Sequence, residues 1–363
     1  MNFNSILNDL LDIPKTLLKS LNYYISEEGL LKLKRLSNLI DSNKIDHILF
    51  LGHSYNYFAS IVSLYYIDSK LRYGNHFRRI KSLSQEIDEF LTYLNPEKVN
   101  KNTLYVLISK SGESIQIKQA IDFLIKCNLP IDNIICVTSN INSYIGLKVN
   151  KLNVFPFFSE NEEVVGSKSY INELLCLYLI SRAIVEKNII PDYVEEEIRQ
   201  LIFEIKFYGS DWEFHTREFV NFLGQDFDFL YFISKGASLS TAYQAAQTCL
   251  SYTKTYAEGI SIGLFLHGPF QIVDNKFRCI LIIGDETSIE ETLELMNLIT
   301  KKIGTGKVIL INNSRELSSL GRANPNVYVF EHTTKDSYLA PIFEIVVIQY
   351  LLLNQAKRKG IVF

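Results

Sequence analysis

Apolar residues recur in two rhythms along this chain. Over 27-EEGLLKLKRLSNLI-40 they fall three or four apart, the spacing of an amphipathic helix, and residues 1–44 read as helical throughout. From residue 45 the rhythm shortens to continuous apolar runs. The first, 45-IDHILFLGHS-54, breaks at a Gly and leads into a helical stretch from Tyr55 to Asp68. Residues 103-TLYVLISKSGES-114 repeat the design: a strand-like run, small polar residues, then a helix over 115-IQIKQAIDFLIK-126. Two more runs follow, 133-NIICVTSN-140 and 152-LNVFPFF-158, separated by loops of Asn, Ser, Gly and Pro. A helix over 170–187 closes the set.

The second half restates the first. Residues 227-FDFLYFISKGAS-238 match the run at 46–56, and 278-RCILIIGDET-287 matches 104–114. The runs 307-KVILINN-313 and 326-NVYVFEH-332 match the third and fourth strands, and a last helix over 339–355 matches 170–187. The charged stretch 191-PDYVEEEIRQLIFEIK-206 reads as an amphipathic connector. The expected organisation is therefore two α/β modules, residues 1–195 with the N-terminal helices and 196–363 with a C-terminal tail. Each holds four or five strands. Apolar runs alternating with helices indicate mostly parallel sheets covered on both faces, a flavodoxin-like three-layer sandwich. In such sheets ligands sit beyond the carboxyl ends of the strands.

Composition narrows the function. A chain of 363 residues suits two cores of roughly 150 residues each. The net charge is −3 and basic residues cluster only at Arg78-Arg79 and 357-KRK-359, so no nucleic-acid footprint is expected. Five scattered cysteines, at 127, 136, 176, 249 and 279, lack metal-site spacing and read as buried free thiols in a reducing compartment. The N-terminus has no basic flank with an apolar stretch, and no long apolar run appears. A cytoplasmic protein without a signal peptide or membrane span is expected. Gly52 and Gly236 end strands without forming GxGxxG, and no HExxH or paired acidic motif is present, so no cofactor and no metal are expected.

The chemistry concentrates in 109-SKSGES-114, directly between a strand and a helix. Helix starts present unpaired N–H groups and a positive dipole end, which suits an anion. Gly112 admits close backbone approach, and the hydroxyls of Ser109, Ser111 and Ser114 are potential phosphate donors, with Ser54 as one more from the neighbouring loop. Lys110 adds charge or is a solvated surface lysine. Helix capping accounts for one serine as readily as phosphate does, and both readings stand at this level. His53 contacts phosphate or is a surface loop residue. His47, His76, His215 and His332 read as structural or surface histidines.

These residues resemble the double sugar-isomerase-domain (SIS) family, over roughly residues 30–363. The similarity is greatest to the isomerase half of glutamine–fructose-6-phosphate aminotransferase and to fructosamine-6-phosphate deglycases. The loop 109-SKSGES-114 is similar to the family phosphate loop, although Lys110 stands where Gln is usual. The stretch 163-EVVGSKSY-170 resembles the segment bordering the sugar, which with Gly52 and His53 makes Val165, Gly166 and Ser167 sugar-binding candidates. The tripeptide 267-HGP-269 is similar to the family's most specific motif. The resemblance implies that His267 opens the sugar ring, in the site of a partner subunit, and that the protein is a homodimer with shared sites. Lys359 matches the lysine near the sugar carbonyl.

One departure bears on catalysis. The family's proton-transferring glutamate stands sixteen residues before the histidine, and here that position is Ser251. A hydroxyl is a poor general base. Glu258, on what reads as the same helical region, is the nearest carboxylate in sequence. No glutamine-hydrolysing domain precedes the modules, and position 2 is Asn2 rather than a nucleophilic cysteine, so synthesis from glutamine is not expected. The resemblance implies a phosphosugar enzyme, first of all a fructosamine-6-phosphate deglycase releasing glucose 6-phosphate and an amine. The alternatives are an aldose–ketose phosphosugar isomerase, or a sugar-phosphate sensor that lost its base.

Overall fold

The computed structural model describes residues 2–73, 80–225, 227–285, 289–302 and 305–361. His76 and Arg78-Arg79 lie outside the described residues. By internal contacts the chain divides into two compact units, Asp12–Ile202 and a second formed by Met1–Leu11 with Phe203–Phe363. The sequence placed the boundary at 195/196 and every N-terminal helix in the first module. The structure instead divides within a continuous helix, and the first eleven residues go with the carboxy-terminal unit. Phe3 accounts for this: its ring lies 6.1 Å from that of Trp212.

The chain opens with α1 (Phe3–Ile25) and α2 (Glu27–Ser42). Ser26 ends one and starts the next, its hydroxyl accepting from the Gly29 N–H. The amino-terminal unit continues through β1 (His47–Gly52), α3 (Tyr55–Tyr73), β2 (Lys81–Glu86), α4 (Ile87–Thr92), β3 (Thr103–Ile108) and α5 (Ile115–Lys126). It then runs through β4 (Ile134–Thr138), α6 (Tyr144–Lys148), β5 (Val154–Pro156) and α7 (Lys168–Val185), with α8 (Asp192–Ser210) leading into the second unit. That unit contains α9 (Trp212–Leu223), β6 (Phe229–Ser234), α10 (Leu239–Thr253), β7 (Tyr256–Ser261), α11 (Ile262–Leu266) and β8 (Arg278–Ile283). It ends with α12 (Ile289–Asn297), β9 (Lys307–Asn312), α13 (Arg315–Arg322), β10 (Val327–Glu331) and α14 (Ala340–Arg358).

Each unit has one five-stranded parallel sheet, ordered β2-β1-β3-β4-β5 and β10-β9-β8-β6-β7. Matching β6–β10 to β1–β5 in sequence makes the two orders identical, so the repeat seen in the sequence is a repeat of topology. All six residues of β3 and of β8 are buried, because helices cover both faces of the central strands. In the first unit Leu51, Leu107 and Cys136 pack against Ile117, Ile121 and Leu124 of α5. In the second, Ile233, Leu281 and Leu310 pack against Leu295, Met296 and Leu317. Each such side chain contributes about 2 kcal/mol by leaving water.

The polar edges escaped the sequence reading. The edge strand β2 is KSLSQE, with one apolar residue, Leu83, that is itself exposed. The opposite unit's edge strand, β7, covers Tyr256–Ser261, where the sequence suggested helix. Backbone pairing to a central strand holds both in place, helped in β7 by the buried Ala257 and Ile260.

The closing helices α7 and α14 are buried along nearly their whole length. Each carries one inaccessible glutamate, Glu173 and Glu344, tied to the helix after the unit's first strand. Asn56 Nδ2 donates to Glu173 at 2.5 Å. Ser238 and Thr241 donate to the two oxygens of Glu344 at 2.8 and 2.9 Å. Burial raises the pKa of both carboxyls, that of Glu344 to about 7.

Candidate functional site

In the amino-terminal sheet, successive connections leave β1 toward β2 on one side and β3 on the other. The strand order therefore reverses between β1 and β3, and sheets of this kind receive ligands beyond the carboxyl ends of the strands at that point. Two loops follow these strands there, 53–54 after β1 and 109–114 after β3.

The second loop is tightly built. Ser109 continues the ladder, its N–H donating to Val137 O at 3.0 Å, and its buried hydroxyl accepts from the Gly112 N–H at 3.1 Å. Ser111 accepts from the Glu113 N–H at 3.2 Å. A hydroxyl that accepts one bond keeps its own hydrogen to donate. Gly112 has φ +65°, and a Cβ there would lie 2.1 Å from Ser143 Oγ. Glycine is needed here both for the left-handed turn and for packing on the loop after β4. Ser114 takes the N-cap position of α5 with an exposed hydroxyl that makes no capping bond. Ser114 makes no side-chain cap, while Ser109 and Ser111 make the turn bonds that the alternative reading, capping plus turn formation, allows. The twelve-residue helix α5 presents its first amides beside three serine hydroxyls.

Lys110 turns away from that cluster. Its ammonium donates to Glu162 Oε1 at 2.7 Å, and the Glu162 side chain has 0% exposure. The same carboxylate accepts from the N–H groups of Gly166, Lys168 and Ser169 at 3.1, 2.9 and 2.8 Å. Ser167 and Ser169 donate their hydroxyls at 3.3 and 2.6 Å. Glu162 therefore occupies the N-terminal end of α7 from within the chain. Burial opposes its ionisation, yet the Lys110 charge and the surrounding donors outweigh burial and hold its pKa below the usual carboxylate value. Lys110, a phosphate-loop candidate read either as added charge or as a solvated surface lysine, instead pairs its ammonium with Glu162, a partner that sequence reasoning missed. Gly166 and Ser167, expected to border a sugar, help hold this carboxylate, and Val165 is exposed.

Gly52 and His53 leave β1 beside β2. A Cβ on Gly52 would meet the Asn56 backbone at 2.7 Å, so this glycine is required by the approach of α3. His53 Nδ1 lies 2.6 Å from Glu86 and 3.3 Å from Asp88. Those carboxylates come from the polar edge strand and the start of α4, which is why the sequence did not show them grouped. Ser54 follows with φ +55°, and its carbonyl accepts the Phe58 N–H.

The carboxy-terminal unit separates its candidates. His267 ends α11 and is exposed, beyond the carboxyl end of β7. Ser251 and Lys359 lie at the other end of the sheet, because α10 and α14 run back from the carboxyl ends to the amino ends. The Ser251 hydroxyl donates to Gln247 O at 3.0 Å, one turn back in its own helix. Lys359 Nζ donates to Thr255 Oγ1 at 2.6 Å, just before β7 begins. Glu258 is a correction: it sits in the middle of β7, not on a helix, opposite Tyr231 of β6. Burial, then the Glu258 charge and hydrogen bond, push the Tyr231 phenol up to about 12. Within this unit, then, Ser251 and Lys359 lie toward the amino ends of the strands, Glu258 within β7 and His267 beyond its carboxyl end.

His47 and His215 have structural settings. His47 pairs with Asp46 at 2.6 Å, and His215 stacks on Tyr208. No helix among the described residues is long and apolar enough to cross a membrane.

No family profile matches the chain. It is 21% identical over 360 residues to glutamine–fructose-6-phosphate aminotransferase (isomerizing) from Bartonella quintana, covering 97% of this chain and 56% of that protein. The chain thus spans about half the length of the curated relatives it matches. Among solved structures, the C-terminal domain of glucosamine-fructose-6-phosphate aminotransferase from Francisella tularensis superposes with TM-score 0.77 at 19% identity, covering 98% of this chain and 96% of that one. Tagatose-6-phosphate ketose/aldose isomerase from Escherichia coli gives 0.71 at 15% identity, covering 97% and 92%. These likenesses establish the fold.

Proposed function

We propose that this chain, built as the two tandem modules of the double SIS fold, binds the phosphate of a sugar phosphate at residues 109–114 and processes the sugar. The observation that carries the reading is Ser114: an N-cap serine with an exposed hydroxyl that makes no capping bond, beside Ser109 and Ser111, at the start of a twelve-residue helix. A dianion there accepts from hydroxyls and first-turn amides and faces the positive helix end. Lys110 acts indirectly, by holding Glu162 and with it the segment 162–169.

The named relatives act on fructose 6-phosphate and tagatose 6-phosphate, which supports a hexose phosphate as ligand. The finer reading is a fructosamine-6-phosphate deglycase, working as a cytoplasmic homodimer. Its products would be glucose 6-phosphate and an amine, with aldose–ketose isomerisation as the alternative. In both, His267 reaching in from the second subunit is the proposed ring-opening acid and base, and Lys359 the proposed cation for the developing oxyanion. Calorimetric titration with hexose 6-phosphates tests the binding. Assay with fructosyl-amine 6-phosphates, following glucose 6-phosphate, tests the chemistry. Absence of both heat and competition by inorganic phosphate sinks the reading.

A second reading, a non-catalytic sensor, is favoured by Ser251. It stands where the resemblance expects the proton-transferring carboxylate, with its hydroxyl bonded to its own helix. Saturable binding without turnover, together with turnover gained by Ser251→Glu, would establish it. Turnover by the unaltered protein would end it.

A further inference from the structure

At the carboxyl ends of β1 and β2, three metal-ligating side chains converge. His53 follows β1, Glu86 ends β2 and Asp88 lies two residues further on. The sheet register sets Gly52 opposite Glu86, so backbone pairing brings the imidazole and both carboxylates together. One nitrogen or oxygen from each of the three lies within 4.8 Å of the other two. His53 Nδ1 is 2.6 Å from Glu86 Oε1 and 3.3 Å from Asp88 Oδ2. The side chains of His53, Glu86 and Asp88 are 56%, 27% and 49% exposed, so solvent reaches all three.

The charge balance favours a bound cation over a simple ion pair. Nδ1 carries at most one hydrogen, yet it meets an oxygen from each of two carboxylates. Even an imidazolium offsets only one of the two negative charges. A metal dication accepts a lone pair from all three groups at once and cancels both charges. Glu86 is also held from behind: its Oε2 accepts the Asp88 N–H at 2.8 Å, which leaves Oε1 for His53 or an ion. Ligands about 2.1 Å from a shared ion lie about 3 to 4 Å from each other, so small side-chain rotations complete the geometry.

The donor set narrows the choice of ion. One imidazole nitrogen with two carboxylate oxygens suits Zn2+ or Mn2+, whereas Mg2+ and Ca2+ favour oxygen alone. Three protein ligands leave at least one coordination position for water or a ligand oxygen. The group sits one strand over from β3 and the 109–114 loop, whose lysine, Lys110, is committed to Glu162. An ion here supplies positive charge beside that loop. The sequence led to an expectation of no metal because His53 and Glu86 stand thirty-three positions apart, with Glu86 on the polar edge strand.

We propose that His53, Glu86 and Asp88 form a binding site for a divalent transition-metal ion of the Zn2+ or Mn2+ type. The test titrates the full, metal-stripped chain with Zn2+ by calorimetry, and with Mn2+ while NMR follows the His53 ring. Zn2+ should bind saturably near neutral pH and more tightly than Mn2+, and Mn2+ should broaden the His53 signals. Glu86→Gln and Asp88→Asn should each weaken Zn2+ binding at least about tenfold. His47→Ala, at the opposite end of β1, should leave it unchanged. Binding should also persist in Ser111→Ala, so that failure of the phosphate-loop reading leaves this site standing. The inference is overturned by sharp His53 signals in excess Mn2+, a result that needs no variant, or by a Zn2+ affinity unchanged in both carboxylate variants. Loss of binding in His47→Ala or Ser111→Ala would place the ion elsewhere and overturn it equally.

Discussion

Lys110 Nζ lies 2.7 Å from Glu162 Oε1, joining the loop after β3 to the start of α7 through a carboxylate with no exposed surface. This contact makes the 109–114 loop and the 162–169 segment one structure. Glu162→Gln keeps the shape but removes the charge and points an amide at donors. It should cost about 3 kcal/mol in urea unfolding near neutral pH. Lys110→Gln should cost less, about 1 kcal/mol, since Lys110 is 24% exposed and the backbone amides still hold Glu162. The pKa of Glu162 is lowered in the folded state, so its stabilisation is present above the unfolded value and lost as pH falls through the folded one. The gap between the native protein and Glu162→Gln should therefore close in acid.

The turn at Gly112 gives a second test. An alanine there must hold φ +65° with its Cβ 2.1 Å from Ser143 Oγ and 2.5 Å from Ser143 Cβ. Gly112→Ala should lose about 2 kcal/mol of stability and most of the phosphate affinity. Adding Ser143→Gly removes both side-chain atoms and should recover part of the loss. About 1 kcal/mol should remain as backbone strain. Full recovery by the double variant would show that crowding alone matters.

The sequence made the repeat, the parallel sheets and the 109–114 loop legible because each is written in local pattern. Runs such as 103-TLYVLI-108 are apolar on both faces, and serines around one glycine mark a turn. What stayed hidden depends on residues distant in sequence. Glu162 gains its role from Lys110, fifty-two positions away. The edge strands β2 and β7 carry little apolar signal, so Glu258 was misplaced on a helix and the grouping of His53 with Glu86 and Asp88 went unseen. His332 looked like any structural histidine; only the fold shows both of its ring nitrogens buried without a hydrogen-bond partner.

The three loop serines should separate in behaviour. Ser109 is buried and accepts from Gly112, so Ser109→Ala should lower both stability and phosphate affinity. Ser114 makes no capping bond, so Ser114→Ala should escape the usual N-cap cost of about 1 kcal/mol. Its affinity for inorganic phosphate or a hexose phosphate should still fall about five- to tenfold. Calorimetric titration beside thermal unfolding distinguishes the two effects. Unchanged affinity in Ser114→Ala would place the anion elsewhere.

The buried glutamate of α14 sets a pH dependence of opposite sign to that of Glu162. Burial raises the Glu344 carboxyl to about 7 from an ordinary 4.5, with Ser238 and Thr241 partly opposing the shift. Between those values the folded chain holds a proton that the unfolded chain has released. Stability therefore falls as pH rises across that window and levels off above it. Glu344→Gln stays neutral throughout. Relative to the native protein, it should gain up to about 3 kcal/mol as pH climbs through the window and nothing below it. The Gly284 N–H donates to Ser238 Oγ at 3.2 Å, and Ser238 in turn donates to Glu344, so ionisation there also pulls on the loop after β8. Urea midpoints measured across the window read the slope directly. A parallel pH profile for the two proteins would mean that Glu344 ionises as freely in the folded chain as in the unfolded one.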